Sequence, residues 1–219
     1  MMDNRSIIKL AVILSVLSFS LGVMIGYSIY NHILNKVFED TNQIDSLVTS
    51  AYLFSLSKNM TCEKEYEDFL RYLKEKIAIV GRKLTYLESP ENVFYNKEGV
   101  EHIKSQYFNI QYLHFIMMNN YIKSCNVSNF TLILYFYNND YCYEECNKQG
   151  GVLTTLYLRH YYDLYIYSFD SSYQNYFIQY YNEKYNITTW PYIILIKSDK
   201  EYLFKGFTDL ETLEKYMTT

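Results

Sequence analysis

The sequence predicts an α/β fold with the element order β-α-β-α-β-β-α, preceded by an α-helical region and one transmembrane helix. Three observations carry this. The stretch LAVILSVLSFSLGVMIGYSI, from Leu10 to Ile29, holds no charged residue. After it, apolar residues recur at three- and four-residue spacings as far as Ser124, the period of a helix with one buried face. From Phe130 onward the apolar residues gather instead into short β-branched and aromatic runs closed by turn residues, the pattern of buried strands.

Composition limits the function classes. In 219 residues the hydrophobic fraction is 49% and charged residues make up 20%, with only 7 Gly and 2 Pro, so the chain is a folded one. A net charge of -4 with dispersed Lys and Arg supplies no basic stripe for phosphates, which argues against a nucleic-acid partner. The 27 Tyr follow no repeat spacing and read as a residue that replaces Phe or Leu at half-buried positions.

As a helix, the apolar stretch spans roughly 30 Å, the thickness of a bilayer core. Residues 10–30 are therefore read as a transmembrane helix and residues 1–9 as a cytoplasmic tail. The run exceeds the apolar core of a cleaved signal peptide. Arg5 and Lys9 precede the span and only Lys36 follows closely, a bias that places the amino terminus in the cytoplasm and the main domains outside it. Gly22 and Gly26 form a GxxxG spacing that would let two such helices pack as a homodimer. The glycosylation acceptors Asn59, Asn126, Asn129 and Asn186 and all four cysteines lie beyond the span, on the side where disulfides persist.

Residues 31–126 form the helical region. A first face runs from Ile44 through Phe54. The second helix, Glu63 to Leu87, lines up Tyr66, Leu70, Leu73, Ile77, Val80 and Leu84 and stops at Ser89 and Pro90. The third, Gly99 to Ser124, repeats the pattern through Val100, Ile103, Tyr107, Ile110 and Met117, and antiparallel packing is the natural arrangement. These stripes read as core. His102 and His114 stand twelve apart with no adjacent ligand pattern, so no metal site is expected there.

Residues 127–219 supply the β-α-β-α-β-β-α order. TLILYFY is the first strand, Cys142 to His160 a helix, and DLYIYSF the second strand. Tyr173 to Tyr185 is a helix, YIILIK and EYLFKGF are the last two strands, and Asp209 to Met217 closes the chain as a helix.

Three blocks of this part, LILYFYNNDYCYEEC, NITTWPYIILI and EYLFKGFTDLETLEKYM, resemble in order and spacing the thioredoxin superfamily, over about 90 residues from Ser128 to Thr219. With the membrane span, the chain resembles anchored thiol-redox proteins of cell envelopes. The resemblance implies a redox pair at Cys142 and Cys146, and a substrate-contacting strand at Trp190 and Pro191. The chain departs from the family at three points. Its cysteines are spaced C-x-x-x-C where the family has C-x-x-C, Trp190 is bulkier than the family's residue before the proline, and TLILYFY lacks a carboxylate.

The residues support redox chemistry on their own terms. A thiol at a helix amino terminus meets unpaired N–H groups that favour the thiolate, so Cys142 is expected to attack and Cys146, one turn on, to resolve. Opposing this, Glu144 and Glu145 disfavour a thiolate if they face it. Cys62 and Cys125 sit at helix ends and are read as a structural bridge, although four cysteines allow three pairings.

The expected function is thiol-disulfide exchange with protein substrates and a redox partner. The alternatives are a copper chaperone, for which the spacing of the cysteine pair fits but His160 lies roughly 21 Å along the helix, and a non-catalytic binding module. No motif calls for a cofactor.

Overall fold

A computed structural model describes residues 4–58, 62–88 and 97–218. The elements in chain order are α1 (Asn4–Lys58), α2 (Lys64–Leu87), α3 (Lys97–Cys125), β1 (Thr131–Tyr137), α4 (Asn139–Arg159), β2 (Leu164–Asp170), α5 (Tyr176–Lys184), β3 (Tyr192–Lys197), β4 (Lys200–Lys205) and α6 (Leu210–Met217). The order from β1 onward is the β-α-β-α-β-β-α expected from the sequence.

The sequence separates a membrane span from a later helix, whereas α1 runs unbroken through both. No Gly or Pro stands between Tyr27 and Lys58 to interrupt it. Its segment Lys9–His32 is long and apolar enough to cross a membrane. The side chains of the expected face from Ile44 to Phe54 lie outside the described residues, as do Asn59, Ser89 and Pro90.

Three links along their length make α2 and α3 antiparallel. Cys62, just before α2, is bonded to Cys125 at the end of α3. Glu67 accepts a hydrogen bond from the Tyr121 hydroxyl at 2.9 Å, and Glu88 pairs with Lys104 at 3.0 Å at the opposite end. Midway, the Tyr107 phenol lies so close to Gly81 that a Cβ there would collide with it, which is why this helix position carries a glycine.

The sheet has the order β2-β1-β3-β4, with β2 parallel to β1 and both β1–β3 and β3–β4 antiparallel. Ser198 and Asp199, both with positive φ, join β3 to β4 as the two-residue turn whose twist suits a hairpin. Side chains alternate between two cores. Leu132, Leu134, Phe136, Tyr165, Tyr167, Phe169, Tyr192 and Ile194 share one with α2, α3 and α5. Ile133, Tyr135, Leu164, Ile193 and Leu195 face the other, beneath α4 and α6. The helical region is thus built into one face of the sheet.

Three ionisable groups sealed in that face, His114, Lys74 and Lys104, each have partners. His114 accepts from the Tyr167 hydroxyl at 2.8 Å and donates to the Leu70 carbonyl at 3.0 Å, pairings that fix the neutral ring with its proton on Nε2. Burial pulls its pKa down to about 4. The Lys74 ammonium donates to the Tyr161 carbonyl and lies 4.4 to 4.9 Å from the ring centres of Tyr157, Tyr161 and Tyr165, a cation on three aromatic faces. Burial, with Arg71 nearby, lowers it to about 8. Lys104 is held between Asp170 at 2.9 Å and Glu88 at 3.0 Å. Burial alone would lower Lys104, but the two carboxylates outweigh it and hold the ammonium above its ordinary value.

Candidate redox site

The site forms where β1 gives way to α4. Asn138, buried behind the end of the strand, caps α4 by accepting from the Asp140 amide at 3.0 Å. The backbone then leaves helical geometry at Cys142, with φ -137° and ψ 27°, and the regular turns follow it. A regular helix would put residues four apart at about 6 Å. With this break the Cα atoms of Cys142 and Cys146 stand 5.4 Å apart, and the two are joined as a disulfide. The spacing with three intervening residues therefore closes within the ordinary Cα range for a disulfide.

Both cysteines are buried, Cys142 at 8% exposure and Cys146 at 5%. The Cys142 Sγ receives the Asn138 backbone N–H at 3.4 Å, and its own N–H donates to the Asn138 carbonyl at 3.0 Å. Tyr135, on the α4 side of β1, donates its hydroxyl to the Cys146 carbonyl at 2.8 Å. Burial holds that phenol far above its ordinary pKa, so it remains a donor. One turn further on, the buried Gln149 amide accepts from the Thr208 N–H at 2.8 Å and donates to the Thr208 carbonyl at 3.1 Å, fastening α4 to the loop after β4.

Trp190 and Pro191 lie against this corner. Phe136 pairs with Tyr192, so Pro191 falls at the end of β1 from which the Cys142 loop departs. The Trp190–Pro191 peptide is cis, and the Pro191 carbonyl accepts from the Gly206 N–H at 2.8 Å. Gly206 holds φ +81°, a conformation open to glycine. Trp190 stacks on Tyr141 with ring centres 5.8 Å apart and planes 18° from parallel. Its indole N–H is buried and meets no acceptor among the described residues. The bulky residue before the proline is thus matched by an aromatic from the cysteine loop.

Residues that the sequence reading passed over turn out to support the pair. Asn138 stands ahead of Asn139 and Asp140, a capping signal legible in the sequence. Tyr135, Gln149 and Thr208 carried no local signal, because their partners are 11 and 59 residues away. Among the described residues no three His, Cys, Asp or Glu come together as a metal would need. His160 sits at the far end of α4, 3.6 Å from Glu214.

A disulfide-bonded cysteine pair at the start of α4, directly after β1, a cis-proline opening the third strand and the strand order β2-β1-β3-β4 define a thioredoxin-like fold. No protein-family model matches the sequence, and no curated protein matches it. Among solved structures, the chain is similar to a malarial protein at 20% identity and a TM-score of 0.36, over 41% of this chain and 96% of the other. It is similar to thioredoxin-2, a component of the malaria parasite protein secretion machinery, at 19% identity and a TM-score of 0.36, over 41% of this chain and 82% of that one. It is also similar to the germline-specific thioredoxin Deadhead from Drosophila melanogaster, at 17% identity and a TM-score of 0.34, over 46% of this chain and 91% of that one.

Proposed function

We propose that the protein is a membrane-anchored, extracytoplasmic thiol-disulfide oxidoreductase acting on protein thiols through Cys142 and Cys146. The observation that carries this reading is the disulfide at the break where α4 begins, with Trp190 and Pro191 at the same strand end. In the reduced form the Cys142 thiolate, favoured by the helix start and the Asn138 N–H, attacks a substrate disulfide. A mixed disulfide forms and one substrate thiolate leaves. Cys146 then attacks the Cys142 sulfur, the mixed disulfide breaks, and the second substrate thiolate departs, so two electrons pass to the substrate and the pair is left oxidised. The reverse sequence oxidises a substrate dithiol.

Trp190 and Pro191 contact the substrate chain beside Cys142, and Cys62–Cys125 is structural. The apolar segment of α1, preceded by Arg5 and Lys9, supports anchoring with the cysteines outside the cytoplasm.

The test is a trap. Cys146→Ser leaves the attacking thiol without its resolving partner and accumulates mixed disulfides through Cys142, visible as adducts on a non-reducing gel, while Cys142→Ser forms none. If neither variant forms adducts and the native pair stays oxidised against a strongly reducing glutathione buffer, the bond is a staple and the enzymatic reading is wrong.

A further inference from the structure

We infer that the disulfide end of the thioredoxin-like fold is turned toward the bilayer, with its exposed aromatic rim resting on the lipid surface beside the anchor. The inference rests on the proposed reading of α1 as a membrane span.

The helices set the direction. Beyond His32, where the apolar segment ends, α1 rises roughly 39 Å at ~1.5 Å per residue. Five residues separate α1 from α2, which packs against it and, with 24 residues, returns roughly 36 Å toward the membrane. Tyr30, in the last turn of the apolar segment, is buried in the core that α2 and α3 line from end to end. Because α2 starts close in sequence to the far end of α1 and packs along it, the end of the hairpin that reaches Tyr30 is the one holding Leu87 and Val100. The lower end of the α2–α3 hairpin therefore sits where α1 leaves the bilayer.

Along α3, contacts with the sheet then follow in order. Near its carboxyl end, Tyr121 packs on Phe130, just before β1. His114 meets Tyr167 within β2, Gln111 brackets Ser168, and Lys104 meets Asp170 at the end of β2. Past that end, the Tyr173 hydroxyl donates to the Glu101 carbonyl. The parallel strands β1 and β2 thus point their carboxyl ends at the membrane. The Cys142 loop departs from that end, Pro191 enters there because β3 is antiparallel to β1, and Phe207 follows β4 there.

At this end stand Tyr86, Tyr141, Tyr143, Tyr176 and Phe207, each at least half exposed. Aromatic rings with a polar tip favour the boundary between headgroups and hydrocarbon. The exposed charges beside the pair, Asp140, Glu144, Glu145 and Lys148, are mostly acidic. The surface that fits is therefore a zwitterionic lipid face, contacted through rings and without electrostatic attraction to anionic lipid. A disulfide placed there serves thiols at the bilayer surface.

The chain carries a single tryptophan, Trp190, at the site itself, so its emission reports the position of the disulfide end. The full chain is reconstituted into phosphatidylcholine vesicles containing headgroup-dansylated lipid and recovered by flotation. The expected result is a severalfold loss of Trp190 emission to the dansyl acceptor, with reduced quenching by aqueous acrylamide. Flotation with undiminished Trp190 emission overturns this inference and leaves the anchor standing. Failure to float overturns the anchor and this inference together. Energy transfer in native membranes but not in pure lipid overturns it in favour of a membrane protein as the occupant.

Discussion

The two disulfides have the same Cα separation, 5.4 Å, and little else in common. Cys62–Cys125 ties residues 63 apart, at the adjacent ends of two antiparallel helices that share a core with the sheet. Cys142–Cys146 ties residues four apart, across a break in one helix whose geometry is already set by Asn138, Tyr135 and Gln149. A cross-link restricts the unfolded chain according to the loop it closes, so the first contributes mainly to stability. The second closes almost no loop, and breaking it disturbs little else, which is what a bond that opens and closes requires. Location therefore says less about a disulfide than loop length and the scaffold around it.

The largest test of this contrast removes the long-range bond. Replacing Cys62 and Cys125 together with Ser is expected to cost ~4 kcal/mol, read as a lower urea midpoint with a steeper slope, because the unfolded chain without the cross-link exposes more surface. An equal loss on opening the Cys142–Cys146 bond would erase the distinction.

Acid probes the helical side next. His114 titrates at about 4 in the folded protein, below its ordinary 6.5, so the unfolded chain binds the proton first as pH falls. Its contribution is present above pH 6.5 and is lost through the window from 6.5 down to 4, on the order of 3 kcal/mol in all. Lys74 faces it from α2 and reinforces the effect. His114→Gln should flatten that limb of the stability profile, and an unchanged slope would mean that the ring does not drive it.

Opening the short bond ranks third. Cys142→Ser with Cys146→Ser is expected to cost only ~2 kcal/mol by the loop-entropy relation, while thiol exchange disappears altogether. Denaturant unfolding beside an insulin-reduction assay separates the two effects, and retained exchange would move the chemistry elsewhere.

The smallest expected effect sharpens the account of the scaffold. Tyr135→Phe removes one hydrogen bond to the Cys146 carbonyl and should cost ~1 kcal/mol, with a measurable shift in how readily the pair is reduced. A stability change without that shift would confine Tyr135 to packing.

Much of the chain was legible without its structure. The apolar run from Leu10 to Ile29, the stripes of α2 and α3, and the short β-branched and aromatic runs TLILYFY and YIILIK set element types, because period and length are local properties. Asn126 and Asn186 show where local reading stops. Both sit in glycosylation acceptors, yet both also occupy left-handed backbone just past α3 and α5, a position that Asn tolerates and that ends a helix.

The sequence by itself determined the order of elements, the existence of an apolar segment of membrane length, and the pairing chemistry available to four cysteines, all of which follow from residue type and spacing. Only the tertiary structure decided that α1 continues unbroken past the apolar segment, that α2 and α3 share a core with one sheet face, and that Tyr135, Gln149 and Thr208 brace the cysteine helix. Those facts depend on groups brought together from up to 59 residues apart, and a hydrogen bond or packed ring at that separation leaves no mark on the local pattern of the chain.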